Sequence, residues 1–502
     1  MKSHTFDIAV LGAGPAGAAS ALFLAQAGFR VALVEKRAFA HAGPSWINGI
    51  YLDSLDAVGV ARPEGEEIDL AGFGVLFFSA DMQHRLALAP SAFTNVRMRP
   101  FVDRLHRDAF AAGVAGFDQM HLVETIFTGE RPVEMQFVRG AAETGVENER
   151  ISIQAKLFVD ATGLHAALRR QIPALHEIHG EHDDGDLCTA FQENCHIADV
   201  DGARAFLQRY DIKPGTLVSI LGTNGGYSTM TVHISPDLKE VGLLAGASKD
   251  AQLLTGPQML KRFRDENSWV GERMLGGGGT IPLRTPLELL SAPGVAVVGN
   301  AANQVFSTHG SGVVPAIQSA RLLADALKGA TDPGDADVLW KYTAAFQQTL
   351  GAKLASYNLF RRFTQNLTGT EIGKMFRYGL MSEAEHCDHL ALMYAGRVVA
   401  DASPEAMKAA IAEESGRLLE LRVDRPVPAQ AALKAAGFAS AALHGRAVHL
   451  LSRDVAGDLA RLPTVLAAAG VTVQSAAQRP LSMEDVFVQR ITALEEAARR
   501  AP

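Results

Sequence analysis

The chain has 502 residues, of which 48% are hydrophobic and 20% charged, and its formal net charge is −8. This length predicts two to four domains, and the negative charge argues against a nucleic acid partner. Three cysteines are too few for a disulfide framework. The sequence has no signal-peptide pattern and no window of about 20 apolar residues, so we expect a cytoplasmic protein, peripheral to a membrane at most.

The first predicted elements are a strand at residues 7–11 (DIAVL), a helix at 15–27 and a strand at 30–35 (RVALVE). This βαβ unit predicts a doubly wound α/β domain of the Rossmann type. A GxGxxG pattern lies between the first strand and the helix, where the helix N-terminus favours a pyrophosphate. Glu35 ends the second strand and can accept hydrogen bonds from adenosine ribose hydroxyls. The predicted cofactor contacts are Gly12, Gly14, Pro15, Ala16, Gly17, Glu35, Lys36 and Arg37.

Two later segments favour FAD over NAD as this dinucleotide. FVDATG (158–163) predicts a strand that ends before Gly163, and residues 295–327 predict a strand, a loop and a helix. The N-terminus of that helix can face the pyrimidine end of a flavin, where negative charge develops on reduction. The predicted contacts in these two segments are Gly163, Gly299, Asn300, Gly310, Gly312 and Val313.

Together these motifs resemble FAD-dependent oxidoreductases of the glutathione reductase and para-hydroxybenzoate hydroxylase type. The stretch from Gly279 to Pro286 and the run from Gly299 to Ala316 are similar to the geranylgeranyl reductase family, and the resemblance covers about residues 5–375. The chain departs from that family at Asn300, where an aspartate is usual. It also does not match the family's YxWxFP pattern after Tyr227.

The resemblance implies roles for residues outside the glycine motifs. Arg99 stands where such flavoproteins place an arginine that reaches the cofactor, although a surface arginine is an equal alternative. Trp46 and Asn48 belong to the loop that closes over the flavin. His309 is the one catalytic candidate, as an acid/base or as a hydrogen-bond donor to the flavin. Cys188 and its neighbours have spacing unsuited to zinc, so we predict buried thiols and no metal site.

Residues 331–379 are predicted to form amphipathic helices beside a β-rich substrate domain. Their aromatic residues form a stripe that is either plain core, a cap over an apolar cavity, or a surface resting on an anionic membrane. The stripe consists of Trp340, Tyr342, Phe346, Tyr357, Phe360, Phe363 and Phe376, with Lys353, Arg361, Arg362 and Lys374 on the same helices.

The tail from residue 380 reads as a separate unit. From Arg417 the pattern is strand, helix, strand, strand, helix, strand, which predicts a ferredoxin-like α+β domain. Residues 380–411 and 481–490 resemble the C-terminal part of drug-export ABC transporter ATPases, over about residues 380–495. No GxxxxGK[ST] phosphate loop is present. We therefore expect an accessory domain without a nucleotide site. Its terminal helix is predicted to start at Ser482 with Asp485 in a capping box.

The predicted domain order follows from these elements and motifs. It is an FAD-binding domain in two parts (1–180 and 281–330), a β-rich substrate domain (181–280), capping helices (331–379) and the accessory domain (380–502).

The predicted function is that of an FAD-dependent oxidoreductase acting on an apolar small molecule by double-bond reduction, dehydrogenation or hydroxylation. NADPH or NADH would be a transient electron donor, or a reductase partner would supply electrons. The alternative is a transporter-associated or binding protein with a structural flavin and a docking tail. Substrate identity and oligomeric state stay open.

Overall fold

A computed structural model describes residues 1–88, 93–140, 149–176, 182–249, 253–377, 390–394, 397–438, 440–444, 447–479, 481, 485–486 and 489. The chain divides into two compact units, Met1–Phe376 and Arg377–Pro502. Each unit is described by itself. None of the helices in the described ranges is both long and apolar enough to cross a bilayer.

The first unit is built from three sheets and the helices that cover them. Its strands are β1 Lys2–Leu11, β2 Val31–Val34, β3 Ile47–Tyr51, β4 Ile68–Ala71, β5 Val75–Ser79, β6 Arg85–Leu88, β7 Phe93–Arg97, β8 Ala115–Phe117, β9 Met120–Thr128, β10 Arg131–Arg139, β11 Arg150–Asp160, β12 Leu187–Ile197, β13 Leu217–Leu221, β14 Ser228–Ile234, β15 Glu240–Ser248, β16 Val270–Pro282, β17 Ser291–Ala292 and β18 Val295–Val297. Its helices are α1 Pro15–Gln26, α2 Leu52–Asp56, α3 Met98–Ala111, α4 Pro173–His176, α5 Val200–Arg209, α6 Gly256–Glu266, α7 Val313–Leu327, α8 Ala336–Phe346, α9 Ala352–Gln365 and α10 Gly369–Arg377.

The largest sheet carries the predicted dinucleotide unit. Its strand order is β17-β18-β11-β1-β2-β8, and β1 pairs in parallel with both β11 and β2. The end of β1 and all of β2 are buried, as expected for parallel strands covered on both faces. Helices α1 and α7 both belong to the main hydrophobic core. The α/β prediction for this part of the chain is therefore confirmed.

The second sheet has the order β16-β12-β15-β14-β13-β5-β6. It is the predicted β-rich region, but it is not confined to residues 181–280. β5 pairs in parallel with β13, so two strands come from the range that the sequence assigned wholly to the FAD-binding domain. Helix α5 was not predicted inside this region. It begins after Asp199, whose side chain accepts a hydrogen bond from the amide of Asp201.

The amphipathic helices predicted for residues 331–379 are observed as three helices, α8 to α10. A π-helical turn at Gln347–Gly351 joins α8 to α9. Tyr342 and Phe346 are fully buried and belong to the main core. For these two residues the plain-core interpretation of the aromatic stripe is confirmed. Others of the stripe lie on the surface.

The second unit contains β19 Leu390–Tyr394, β20 Arg397–Ala402, β21 Arg417–Val423, β22 Ala442–His444, β23 Ala447–Ser452, β24 Val473–Arg479, α11 Pro404–Ser415, α12 Pro426–Ala435 and α13 Val455–Ala468. Its four-stranded antiparallel sheet has the order β22-β23-β21-β24, with α12 and α13 in the chain positions that the sequence predicted. The ferredoxin-like classification stays a prediction. Ser403 caps α11 as expected by accepting a 3.1 Å hydrogen bond from the amide of Ala406. The predicted start of the terminal helix at Ser482 lies outside the described residues.

Candidate FAD site

A cavity of about 820 Å³ opens at the carboxyl ends of the parallel strands β1, β2 and β11. In open α/β sheets ligands bind at this edge, and the volume is in the range of small-molecule sites. Of the sixteen residues predicted as cofactor contacts or catalytic, fourteen line it: Gly12, Gly14, Pro15, Ala16, Glu35, Lys36, Arg37, Arg99, Gly163, Gly299, Asn300, Gly310, Gly312 and Val313. The other two, Gly17 and His309, do not.

The three glycines of the first motif have different roles. Gly12 has a φ of +92°, and a Cβ there would lie 2.5 Å from the carbonyl oxygen of Ala161. A Cβ on Gly17 would lie 1.7 Å from the carbonyl oxygen of Gly12, so Gly17 lets α1 pack on the turn. A Cβ on Gly14 would meet nothing closer than the Cα of Gly43 at 3.7 Å. The space beside Gly14 is therefore cavity, and a bound pyrophosphate would fill it.

Both helices that point into the cavity have open N-termini. Helix α1 begins at Pro15 with Gly14 as its N-cap, and α7 begins at Val313 with Gly312 as its N-cap. Neither N-cap provides a side-chain acceptor, so the first amides of each helix remain available to a ligand. Each terminus also carries the positive end of a helix dipole. The two sites suit a pyrophosphate at α1 and the electron-rich edge of a flavin at α7.

Glu35 is buried at the edge of the cavity, directly after β2. Its Oε2 accepts a hydrogen bond of 2.8 Å from the amide of Ala13, and its Oε1 accepts one of 3.0 Å from the amide of Arg37. A carboxylate has about four acceptor positions. Nε of Arg37 occupies a third, at 3.4 Å from Oε1, so one remains for a ribose hydroxyl. His106 supports the same turn, because its Nε2 donates to the carbonyl oxygen of Ala13 at 2.7 Å.

The segment after β11 is shaped by a buried carboxylate that the sequence analysis did not single out. Asp160 is fully buried. It accepts hydrogen bonds from the amides of Thr162, Leu168 and Arg169 and from the Thr162 hydroxyl, at 2.6 to 3.0 Å. These bonds fold the chain back after the strand. Gly163, which has a φ of +71°, is thereby placed on the cavity wall.

Arg99 lines the cavity, as the resemblance implied, and it also binds the backbone of the neighbouring loop. Its Nη1 donates to the carbonyl oxygens of Ala40 and Ala42 at 2.9 and 3.0 Å. One nitrogen thus holds the loop at the cavity rim, while the residue also lines the cavity. Contact with a bound cofactor stays a prediction for its other nitrogens.

The predicted flavin-covering loop, residues 43–50, contacts strands β12 and β16. The amide of Ile47 donates to Oε1 of Gln192 at 2.8 Å. Four consecutive glycines of β16, at 276–279, allow this approach. A Cβ on Gly279 would lie 3.2 Å from Cη2 of Trp46, and one on Gly277 would lie 3.5 Å from Oγ of Ser45. Trp46 is consequently a wall of the cavity.

The turn after β18 brings Asn300 to the cavity in place of the family's usual aspartate. A Cβ on Gly312 would lie 2.8 Å from Oδ1 of Asn300, so the glycine makes room for this amide. The amide of Gly299 donates to Oε1 of Gln304 at 2.6 Å. Asn303, which has a φ of +55°, has its Oδ1 atom 2.9 Å from Nε2 of His182. As an amide oxygen, that Oδ1 accepts, which makes His182 the donor.

His309 does not line the cavity, although its neighbour Gly310 does, and its place beside the flavin stays a prediction. Its ring stacks on Phe306 with centroids 5.2 Å apart and meets the edge of Tyr357 at 6.3 Å. Desolvation by the surrounding protein lowers the pKa of His309. Its surface is nonetheless exposed, so water offsets part of this effect. The position suits an aromatic contact, and its catalytic role stays a prediction.

Tyr227 is a candidate that the sequence analysis noted only as a departure from a family pattern. It is buried in a small cluster with Cys188 and Leu283. Its hydroxyl is 4.0 Å from the position of a Cβ on Gly310, and Ile281 packs against the same cluster. Gly310 and Ile281 both line the cavity. The glycine pair before Tyr227 is the feature of the sequence that could have drawn attention to this residue. Its proximity to Gly310 could not be predicted, because the two residues are some eighty positions apart.

The prediction of buried thiols is confirmed for two of the cysteines. Cys188 and Cys195 are both free and buried. Burial raises the pKa of Cys188 to about 12, so its thiol is not a nucleophile near neutral pH.

Comparisons with known proteins agree with this geometry. Residues 5–239 match the family model described as an FAD binding domain. The digeranylgeranylglycerophospholipid reductase of Sulfolobus acidocaldarius is 25% identical over 406 residues, which cover 77% of this chain and 83% of that protein.

Solved structures show the same fold. A geranylgeranyl bacteriochlorophyll reductase-like protein from Thermoplasma acidophilum superposes with a TM-score of 0.64 at 17% identity, covering 82% of this chain and 96% of that one. A myxobacterial chondrochloren halogenase, a variant of the FAD-dependent halogenases, superposes with a TM-score of 0.53 at 19% identity, covering 73% and 83%.

Proposed function

We propose that this chain, an FAD-dependent oxidoreductase, adds two hydrogens across carbon–carbon double bonds of an apolar substrate. The enzyme class agrees with the FAD-binding family model and with relatives that are reductases. Reduction, among the predicted reactions, is supported by the length of the match to the reductase of Sulfolobus acidocaldarius. Isoprenoid lipids are the first substrates to test, because that relative is named for one.

When bound, FAD would supply the two-electron chemistry, with NADPH or NADH as the proposed transient donor. The residues present fit this cofactor. The open amides at the N-termini of α1 and α7 would hold its anionic parts, and Glu35 would hold the ribose. Trp46 and Ile281 would form apolar walls that keep water from the reacting end.

The observation that carries the proposal is the buried phenol of Tyr227. Double-bond reduction needs a hydride on one carbon and a proton on the other. Burial raises the pKa of Tyr227 well above 10, so the phenol keeps its proton at neutral pH. The positive charge of Arg361 acts on Tyr227 in the opposite direction and would stabilise the phenolate after transfer. A phenol beside the cavity is thus suited to protonate the substrate carbon.

A second candidate is an oxygen-dependent reaction, such as hydroxylation. It is supported by the structural similarity to the FAD-dependent halogenase. The two candidates differ in one requirement, since reduction proceeds without oxygen and hydroxylation does not. Anaerobic turnover with NADPH or NADH and an isoprenoid lipid, followed by mass spectrometry, separates them. We expect a gain of two hydrogens for each reduced bond.

The sharpest test is Tyr227→Phe, which removes the hydroxyl and keeps the ring. We expect product formation to fall by about 10² or more, the range of general acid catalysis, with bound FAD unchanged. Tyr210→Phe is the matched control, because Tyr210 packs on Phe206 and Phe78 in a hydrophobic cluster different from that of Tyr227. Unchanged turnover in Tyr227→Phe would remove Tyr227 as the proton donor. Product that forms only with oxygen would favour hydroxylation.

We infer that the second unit is an accessory domain. The tail's resemblance to ABC transporter ATPases, together with the missing phosphate loop, supports a docking role and not nucleotide hydrolysis. A transporter or reductase partner for this unit is part of the same proposal.

A further inference from the structure

Apart from Leu354, which belongs to the main core, helix α9 buries polar side chains and exposes apolar ones. It buries Arg361, which is 1% exposed, and Asn358, which is 6% exposed. It exposes Leu359 at 72%, Phe363 at 55% and Phe360 at 39%. A helix that packs on a core ordinarily does the opposite. Its outward apolar face therefore needs an explanation outside the packing of the described protein.

The orientation of α9 is fixed by its inward face. The Arg361 guanidinium donates to Oδ1 of Asn358 at 2.7 Å and to the carbonyl oxygens of Gly185 and Leu283 at 3.0 and 3.2 Å. It also pairs with Oδ1 of Asp186 at 3.2 Å. Rolling the helix to bury its aromatics would strip this cation of its partners, which is strongly unfavourable. The apolar face stays outward.

Two cations border the outward face. At 100° per residue, Leu359, Phe363 and Phe360 form one stripe, Lys353 lies at the edge next to Phe360, and Arg362 lies beyond Leu359. Both cations are exposed. The sequence of α9, AKLASYNLFRRFTQ, contains no acidic residue, in a chain whose net charge is −8. The face is locally cationic on a protein that is otherwise negative.

We propose that this face of α9 binds the surface of an anionic lipid bilayer. Apolar side chains bordered by lysine and arginine are the pattern of helices that lie in the membrane interface, with the cations at the level of the lipid phosphates. Three protruding apolar side chains can insert into a bilayer, because the lipids rearrange around them and no complementary surface is needed. A stable protein partner would need a complementary interface of about 1,200 Å² or more.

The position of α9 gives this binding a consequence that rests on the proposed function. Tyr357, on the same helix, contacts the ring of Phe306 at 5.0 Å and that of His309 at 6.3 Å. The loop that carries these rings continues to Gly310 and Gly312 on the cavity wall. A lipid-soluble substrate would therefore leave the bilayer at α9 and reach the cavity along this aromatic cluster.

Vesicle flotation with the full chain tests the binding without any turnover. The probes are vesicles of phosphatidylcholine alone and of phosphatidylcholine with phosphatidylglycerol. We expect binding to the mixed vesicles only. Phe363→Ser should weaken it on the order of tenfold, and Lys353→Gln with Arg362→Gln about fivefold for each charge. Bound FAD should be unchanged in both. Matched controls are Phe127→Ser, on β9, and Arg204→Gln, on α5.

Three outcomes would overturn the proposal. The first is equal flotation of wild type and Phe363→Ser with retained FAD. The second is equal loss in the Phe127→Ser control. The third is a concentration-dependent dimer in light scattering that Phe363→Ser abolishes, which would show that a second copy covers α9. Because flotation needs no substrate, it can succeed while the reductase assay fails, and the route to the cavity alone would then be withdrawn.

Discussion

Oε2 of Glu35 lies 2.8 Å from the amide nitrogen of Ala13 and accepts its hydrogen bond. The acid predicted to hold the ribose therefore also holds the turn that would hold the pyrophosphate. The predicted ribose and pyrophosphate sites are therefore coupled through one side chain. This coupling predicts that a change at Glu35 affects both.

Glu35→Gln tests the coupling. A glutamine offers one acceptor oxygen, and its amide group would face either the Ala13 or the Arg37 amide as a second donor. We expect FAD affinity to fall about tenfold, the size of one hydrogen bond to a charged group. Fluorescence titration of the apoprotein with FAD measures it. Glu66→Gln, at an exposed position, is the control and should bind FAD normally. Equal affinity in both variants would contradict the role of Glu35.

Removal of the second unit is the next prediction. The compact unit Met1–Phe376 contains the whole predicted cofactor site. A chain ended at residue 378 should therefore fold and keep FAD in a ratio near one to one, measured by the flavin absorbance released on denaturation. The matched comparison is the full chain under the same conditions. An unfolded, colourless product would mean that the second unit is needed to form the enzyme.

The second unit contains a histidine whose charge depends on pH. Nδ1 of His449 lies 2.7 Å from Oδ1 of Asp485, and its Nε2 lies 3.6 Å from Oε2 of Glu420. Desolvation opposes the charged form, but the two carboxylates outweigh it and raise the pKa of His449 above 6.5. The folded state thus binds the proton more tightly than the unfolded state. The resulting stability is fully present below pH 6.5 and is lost as pH rises through the folded pKa.

Hydrogen exchange in the full chain measures this effect. Protection of β21 and β23, corrected for the intrinsic exchange rate, should fall as pH rises from about 6 to about 8.5. Asp485→Asn removes one carboxylate and should flatten that dependence. A similar slope in wild type and Asp485→Asn would show that the pair does not stabilise the unit.

The sequence predicted the site residues that lie within one local motif. It did not predict contacts between residues that are distant in the chain. Gly12, Gly14 and Glu35 lie within one βαβ unit, whose geometry nearly determines their positions. The sequence predicts Arg361 on an amphipathic helix with other cations, yet it is buried because Gly185 and Asp186, far away in the chain, supply its acceptors. Tyr227 lies next to the cavity residues Gly310 and Ile281, which are distant from it in the chain. No short pattern encodes either contact.

The glycine strand under the covering loop also constrains how this cavity can change during evolution. Added methyl groups at Gly276 and Gly278 would meet the carbonyl oxygens of Gln192 and Ala190 at 2.9 and 2.4 Å, so both positions are closed to mutation without backbone movement. A methyl group on Gly277 would lie 3.5 Å from Oγ of Ser45, which is an ordinary van der Waals distance. The shape of the cavity on this side can therefore change through Trp46, which lines it, while the glycine strand behind it is constrained. Libraries that aim to reshape the cavity should vary Trp46.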